Sequence, residues 1–274
     1  MKSFANKEDL FNHLRQNKEL LLMEKQAQIK HADACSFVVE EDICGHPVVK
    51  SDDNDDDEKP KGLKIKVVIN TTNLMDSHDD VHMVGLWNKT LKEQKLLYLL
   101  KEHKMAFDSI ITDKVKASAE MLPWKSVGEK YQGETQALIF DAELDEERNP
   151  YMVEQYRKGY VKNHSVGMRY VKLLLAMDST NPADKEEKKN WDKYIDQVAN
   201  KDRAQQKGYF FPVLEAKLIE GSAVPLGSNS ATPTLTVEEM EPGKSTPTIE
   251  PVEPTQKSKV DWNVIANHFK NKKF

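Results

Sequence analysis

The chain has 274 residues, 38% of them hydrophobic and 31% charged, and its formal net charge at pH 7 is −5. This length is enough for one medium-sized domain with appendages, and the polar composition indicates that part of the chain lies outside the core. The negative charge argues against a nucleic-acid partner. No apolar run approaches a membrane span and no apolar segment follows the first residues, so we expect no membrane partner, no secretory signal and a cytoplasmic protein.

Metal or disulfide chemistry has little support in the first sixty residues. Cys35 and Cys44 make no disulfide framework and match no zinc spacing, so two reduced thiols are expected. The acidic stretch 51–58, SDDNDDDE, resembles the start of a calcium loop but lacks the glycine and the closing glutamate of an EF-hand. A solvated loop is the better interpretation, and we expect no cofactor and no metal.

Helical and alternating patterns divide the first half of the chain. Residues 7–34 carry apolar side chains at roughly helical spacing, which predicts a helical arm covering residues 1–34. The apolar run 96–100, LLYLL, is typical of either a buried strand or a helix end. Alternating or β-branched segments predict strands at 36–40, 62–71, 114–121 and 136–144.

A helix and a helical insertion are predicted in the second half. Asn149 and Pro150 open a helix over 151–158, and Gly159 ends it as a C-cap glycine would. The charged insertion, residues 178–208, has a stripe of apolar side chains at helical spacing that should face the core: Trp191, Tyr194, Ile195 and Val198. Strands are predicted on either side of the insertion, at 164–175 and 213–224.

The C-terminal part differs in composition from the rest. Residues 233–259 are rich in Pro, Thr, Glu and Ser and predict a disordered linker, and residues 260–274 predict an amphipathic helix capped by Asp261. Such a tether could dock the protein on a partner, or it could be a disposable tail. Residues 35–232 are predicted to form an α+β domain around a β-barrel or a strongly bent sheet, between which the pattern does not choose.

Three residues could together carry nucleophilic chemistry, which needs a serine, a base and a group that orients the base. Ser165 lies at the mouth of a predicted strand, where Gly167 would let backbone approach a substrate, although a plain capping serine is the alternative. His103 ends an apolar run, where it would be a base or a surface residue. Glu220 lies on the last strand and is either a buried partner of an imidazole or an outward-facing side chain.

A metal-dependent hydrolase is a less favoured alternative. Five residues in one segment have side chains that suit a divalent metal: Asp76, His78, Asp79, Asp80 and His82. Segments of this composition are mostly surface turns.

Four segments in register resemble the tailed-phage prohead proteases. Residues 75–87, MDSHDDVHMVGLW, are similar to the family's opening motif, and the run ending in His103 resembles its histidine segment. Residues 163–168, NHSVGM, resemble its serine motif, and residues 218–225, LIEGSAVP, its closing strand. The order of the motifs is that of the family, and the resemblance spans roughly residues 62–232 with 178–208 as an insertion.

This resemblance implies a fold and an activity. The fold would be a twisted β-barrel with surrounding helices, like that of the herpesvirus assemblins. His103 and Ser165 would be the catalytic pair of a serine endopeptidase, and Glu220 its third member. The substrates would be the scaffold protein and the major capsid protein, cut inside the immature capsid in the host cytoplasm, followed by self-cleavage. A homo-oligomer is left open.

Several positions depart from the family pattern and leave alternatives. Lys104 follows the histidine where the family often has Asp, and assemblins use a second histidine as third member, so Glu220 is the least secure of the three. His164 should point to the opposite face of its strand from Ser165 and is not chosen as base. Arg169 is a candidate oxyanion donor. The main rival hypothesis is a catalytically inactive capsid assembly factor of the same fold.

Overall fold

The computed structural model describes Phe4 and residues 6–30, 62–93 and 96–240. Within these ranges the α-helices are α1 (Lys7–Ala27), α2 (Asn88–Lys92), α3 (Pro150–Arg157), α4 (Lys185–Tyr194) and α5 (Lys201–Lys207). The strands are β1 (Ile29–Lys30), β2 (Gly62–Thr71), β3 (Asp80–His82), β4 (Leu99–Lys101), β5 (Ile110–Thr112), β6 (Val115–Pro123), β7 (Glu134–Asp145), β8 (Asn163–Leu173), β9 (Ala176–Met177), β10 (Tyr209–Val224) and β11 (Thr234–Glu239). None of the described helices has the length and apolar character needed to cross a membrane.

The helix starts follow their capping residues. The Asn6 side chain accepts a hydrogen bond from the Asp9 backbone N–H and begins α1. Asn149 does the same for α3 through the Met152 N–H, with Pro150 in the first turn. Helix α1 ends at Ala27, earlier than predicted, because the chain turns to extended backbone at Gln28 and enters β1.

The larger sheet is built around β10, the longest strand described. Strand order along its main path is β1-β8-β10-β4-β5, while β3 and β9 also pair with β10. Strand β8 runs antiparallel to β10, whereas the short strand β4 runs parallel to it. The apolar run 96–100 therefore ends in a buried strand, and this strand leads directly to His103.

The smaller sheet has the order β11-β2-β7-β6 and shares one core with the larger sheet. Side chains from both sheets, with α1 and α3 packed against them, belong to a single buried cluster that includes Leu14, Leu63, Phe140, Val166 and Ala223. Gly221 is needed at this contact, since a Cβ there would lie 2.5 Å from the Phe140 ring. The fold is mixed α+β, as predicted. Among the described pairings, the segment that leads into β11 bridges the two sheets at Pro233, which pairs with Asn163 of β8, and no ring of hydrogen-bonded strands closes a barrel.

The insertion between β8 and β10 folds as two helices rather than one. The predicted apolar stripe is confirmed: Trp191, Tyr194, Ile195 and Val198 are buried in a second hydrophobic cluster. Phe210 at the start of β10 belongs to the same cluster. Gly208 adopts a φ of 77° and ends α5, which lets β10 begin at once.

One predicted boundary was wrong. The stretch assigned to a disordered linker, 233–259, begins with β11, which pairs antiparallel with β2. Val237 is buried against the core, and the Thr and Val residues of this segment suit an edge strand despite its low apolar content. Several predictions lie outside the described residues: the strand at 36–40, Cys35 and Cys44, the acidic loop 51–58, the remaining linker 241–259 and the C-terminal helix 260–274.

Candidate active site

Ser165 lies on β8 directly opposite Ser222 of β10. The strand is fixed just before it, because the His164 backbone N–H donates to the Thr232 carbonyl and the Thr232 hydroxyl donates back to the His164 carbonyl. Ser165 is only 2% exposed. A serine held in this way on a paired, buried strand has little freedom to move.

His103 is placed by a tight turn that follows β4. Both Glu102 and His103 have left-handed backbone, with φ of 54° and 57°. Such a conformation costs about 1–2 kcal/mol for each residue other than glycine. Two hydrogen bonds hold the turn on β10: the Glu102 N–H donates to the Ala223 carbonyl at 3.0 Å, and the His103 N–H donates to the Ser222 hydroxyl at 3.1 Å.

The three side chains singled out from the sequence meet in one hydrogen-bonded chain. His103 Nδ1 lies 2.7 Å from Glu220 Oε1, and His103 Nε2 lies 2.8 Å from Ser165 Oγ. A carboxylate can only accept, so Nδ1 carries the proton and Nε2 is left as an acceptor for the serine hydroxyl. This is the tautomer that a general base acting on Ser165 requires.

Glu220 is almost fully buried, at 1% exposure, and both of its oxygens are engaged. One oxygen faces the imidazole, and the other accepts a 2.6 Å hydrogen bond from the Ser222 hydroxyl. A buried carboxylate is costly unless it is hydrogen-bonded, and this arrangement satisfies it. The alternative of an outward-facing Glu220 is therefore wrong.

Gly167 makes room for this carboxylate. It lies opposite Glu220 on the neighbouring strand, and a Cβ built there would be 2.0 Å from Glu220 Oε1. The sequence predicts that Gly167 lets backbone approach a substrate. The structure instead shows that the glycine lets the glutamate side chain lie across β8.

Ser222 is a site residue that sequence reasoning missed. Its hydroxyl donates to Glu220 and accepts from the His103 backbone, so it joins the acid to the turn that carries the imidazole. The sequence spacing could have indicated this contact. Residues two apart on a strand point to the same face, and Ser222 follows Glu220 at that spacing.

His164, adjacent to Ser165, is fully buried and has a different set of partners. Its Nδ1 lies 3.1 Å from the Thr232 carbonyl and its Nε2 lies 2.9 Å from the Tyr156 hydroxyl. The carbonyl accepts from Nδ1–H, so Nε2 accepts from the tyrosine. Burial lowers the pKa of His164 to about 4, although the Thr232 hydrogen bond opposes the shift. As predicted from the strand geometry, this imidazole is directed towards Tyr156 and Thr232 and not towards the Ser165 hydroxyl.

Arg169 is not brought to Ser165. It lies four residues further along β8, about 13 Å away at the rise of a strand, and its side chain is exposed. The suggestion that it supplies an oxyanion donor was wrong.

The five residues of the metal hypothesis are divided among separate interactions. Asp76 accepts the backbone N–H groups of His78 and Asp80. Asp79 binds Lys207 and Tyr209, Asp80 binds Lys25 and Tyr170, and His82 contacts Asn70 and Tyr170. The part of the chain that the structure describes contains no group of three or more His, Cys, Asp or Glu side chains arranged to hold a metal ion.

A small cavity of about 20 Å³ borders β8 beside Ser165. Its lining residues come from β2, the loop 72–79, β3, β8 and the segment after β10, and include Ile69, Asn70, Asp76, His78, His82, Val166, Met168, Tyr170 and Asn229. Burial and the nearby Asp80 raise the pKa of Asp76 to about 6. The cavity combines apolar walls with a few polar groups, and its volume has room for about one water molecule.

Comparison with known proteins adds no neighbour to this description. A scan against protein-family models finds no matching family, and neither the curated proteins nor the solved structures contain a significant match.

The contact between Gly167 and Glu220 can be tested by a double-mutant cycle. Gly167→Ala should destabilise the fold and displace Glu220 from His103, because the added methyl group overlaps the carboxylate. In a Glu220→Ala background the same substitution should cost at least about 1 kcal/mol less, since the overlapping atoms are gone. Chemical denaturation of the four proteins gives the coupling, and equal costs in both backgrounds would contradict the assignment.

The buried His164 should give the protein a specific acid sensitivity. Its folded-state pKa of about 4 lies below the ordinary value of 6.5, so the unfolded chain binds the proton first and stability falls as pH drops from about 6.5 to about 4. His164→Gln should be less stable than the wild type at pH 7. The difference in free energy of unfolding between the two proteins should narrow by about 3 kcal/mol at pH 4. Urea titrations across this pH range measure the free energy of unfolding of both proteins. A difference independent of pH would contradict the assignment, and Tyr156→Phe, which keeps the imidazole, should retain the acid slope.

Proposed function

We propose that this protein is a serine endopeptidase of the prohead-protease type. The observation that supports the proposal most strongly is the hydrogen-bonded chain Ser165–His103–Glu220, with distances of 2.8 and 2.7 Å. Hydrogen-bond contact between nucleophile and base, and between base and orienting acid, is the geometric signature of nucleophilic catalysis by serine. The four sequence motifs, in the order typical of that family, support the same conclusion.

The proposed mechanism assigns one role to each side chain. His103 Nε2 takes the Ser165 proton as Oγ attacks the scissile carbonyl, and returns it to the leaving amine when the peptide bond breaks. Glu220 holds the tautomer and stabilises the imidazolium that forms. A water, activated by the same histidine, then hydrolyses the acyl-enzyme ester. Backbone N–H groups near Ser165 would stabilise the oxyanion, in place of the distant Arg169.

The fold is proposed to be related to the herpesvirus assemblins. Two sheets around one core and a serine on β8, next to the central strand β10, are consistent with a twisted barrel whose helices lie outside. In this proposal β8, β10 and β4 form the wall of the barrel that carries the site, and helices α4 and α5 are an addition inserted between β8 and β10.

The proposed substrates are the scaffold protein and the major capsid protein, together with the protease itself. Cleavage would take place inside the immature capsid in the host cytoplasm. An enzyme that acts on a scaffold enclosed with it needs no binding to nucleic acid or membrane, in keeping with the net charge of −5.

Co-expression with the scaffold and capsid proteins of its own phage tests the proposal. The wild-type chain should shorten both partners at defined sites, and Ser165→Ala should leave them intact while folding normally, because only the Oγ atom is removed. Ser126→Ala, which changes an exposed serine outside the site, should cleave like the wild type. Intact-mass spectrometry of the assembled particles measures the products.

Two results would contradict the proposal. Cleavage that persists in Ser165→Ala would exclude this serine as nucleophile. Particles that assemble with uncut partners in the presence of the wild-type chain would favour the inactive assembly factor instead.

A further inference from the structure

The edge of β8 that faces away from β10 has a gap in its pairing beside Ser165. On this edge the His164 N–H donates to the Thr232 carbonyl, and Met168 pairs with Lys30 of β1. Backbone groups alternate in direction along a strand, so Val166, midway between His164 and Met168, turns its N–H and C=O to the same edge. The described residues give Val166 no ladder partner there.

The gap is too short for an extended substrate. Peptides bound in an extended form add to a strand edge through main-chain hydrogen bonds. Between the two flanking segments only Ser165–Gly167 are unpaired on this edge, which is about 10 Å at the rise of a strand. A peptide that continues on both sides of its scissile bond therefore needs one of the flanking segments to leave.

The flanking segment at Thr232 is fixed. Ala231 and Thr232 are fully buried, and the Thr232 hydroxyl donates to the His164 carbonyl at 2.7 Å while the Thr232 carbonyl accepts from the His164 N–H at 3.1 Å. The chain then continues into β11, which pairs with β2. Displacing this segment would break the smaller sheet as well.

The other flanking segment, β1, is held much more weakly. It consists of two residues, Ile29 and Lys30, which pair only with β8. Ile29 is 45% exposed, so its side chain adds little buried apolar contact. A short strand at the edge of a sheet with few buried contacts is among the parts of a structure that open most easily.

Helix α1 is anchored without the help of β1. Arg15 and Lys25 form ion pairs with the buried carboxylates of Asp184 and Asp80, and Leu14 is part of the core. Removing a partner from a buried carboxylate is strongly unfavourable, so α1 is expected to stay in place. The chain is extended at Gln28, between α1 and β1, so β1 can swing away from β8 about this residue.

We propose that β1 is a built-in competitor of the substrate, which an extended peptide displaces from the β8 edge in order to pair beside Ser165. This inference rests on the proposed protease function and adds a means of regulating it. A tethered segment competes at an effective concentration of about 1 mM. Activity is therefore low in dilute solution and rises where substrate is concentrated, as a scaffold enclosed with the protease would be.

A disulfide that locks β1 onto β8 tests the proposal. Because Met168 directs its backbone groups to β1, Ile29 and Arg169 form a non-hydrogen-bonded pair, with Cα atoms about 4.5 Å apart and within reach of a disulfide. The test protein is Ile29→Cys/Arg169→Cys with Cys35 and Cys44 changed to serine. Oxidation should lower kcat/KM for a synthetic peptide that spans a scaffold cleavage site by about 10²-fold, and reduction should restore it. The same protein without Arg169→Cys is the control and should not respond to the oxidant.

A second variant shifts β1 in the opposite direction. Proline at position 30 has no N–H to give to Met168, so Lys30→Pro should free the β8 edge more often. We expect kcat/KM for the same peptide to rise by about three- to tenfold. Lys30→Ala keeps the N–H and should cleave like the wild type. A value for Lys30→Pro at or below that of Lys30→Ala would overturn the proposal.

Reaction of Ser165 with a fluorophosphonate separates failure of this inference from failure of the proposed function. The probe is small and needs no strand edge, so its rate should be the same in the oxidised and reduced forms. Equal peptide cleavage in both forms, or a probe rate that falls on oxidation, would overturn the role of β1 alone. If Ser165 reacts in neither form and no peptide is cut, the protease function is overturned and the inference with it.

Discussion

The position of β10 between β8 and β4 is the constraint on which the candidate site depends. Antiparallel pairing with β8 sets Glu220 opposite Gly167 and Ser222 opposite Ser165. Parallel pairing with β4 delivers the turn at Glu102 and His103 to the same end of the strand. The imidazole therefore reaches both the acid and the serine because three strands are in register, and a shift of one residue would send Glu220 to the other face.

The energetic cost of this arrangement is concentrated in a few residues. The buried carboxylate of Glu220 is unfavourable on its own. The left-handed backbone of Glu102 and His103 is unfavourable as well. Ser222 offsets both costs, since its hydroxyl donates to Glu220 and accepts from the His103 backbone. Gly167 supplies the space. These supporting contacts hold the histidine in one tautomer and one orientation before any substrate binds, which is the condition for efficient proton transfer.

The sequence predicted the α+β class, most of the strands and the three residues that meet, but not how they meet. The apolar run before His103 indicated a rigid element, yet its parallel pairing with a strand some 120 residues later in the chain is a non-local contact that no local pattern encodes. The role of Gly167 depends on cross-strand register, so the sequence predicted a different role for it, and Ser222 was overlooked. Strand β11 was not predicted because its composition is typical of linkers. An edge strand needs little apolar content, and Val237 is its buried residue.

The proposal that His103 activates Ser165 can be tested by the rate at which a fluorophosphonate modifies the protein. The wild-type chain should gain one phosphonyl group, mapped to Ser165 by peptide mass spectrometry. His103→Ala should slow this reaction by about 10²- to 10⁴-fold, since general-base catalysis contributes on that order. Modification at another residue, or an unchanged rate without the imidazole, would show that His103 does not activate Ser165.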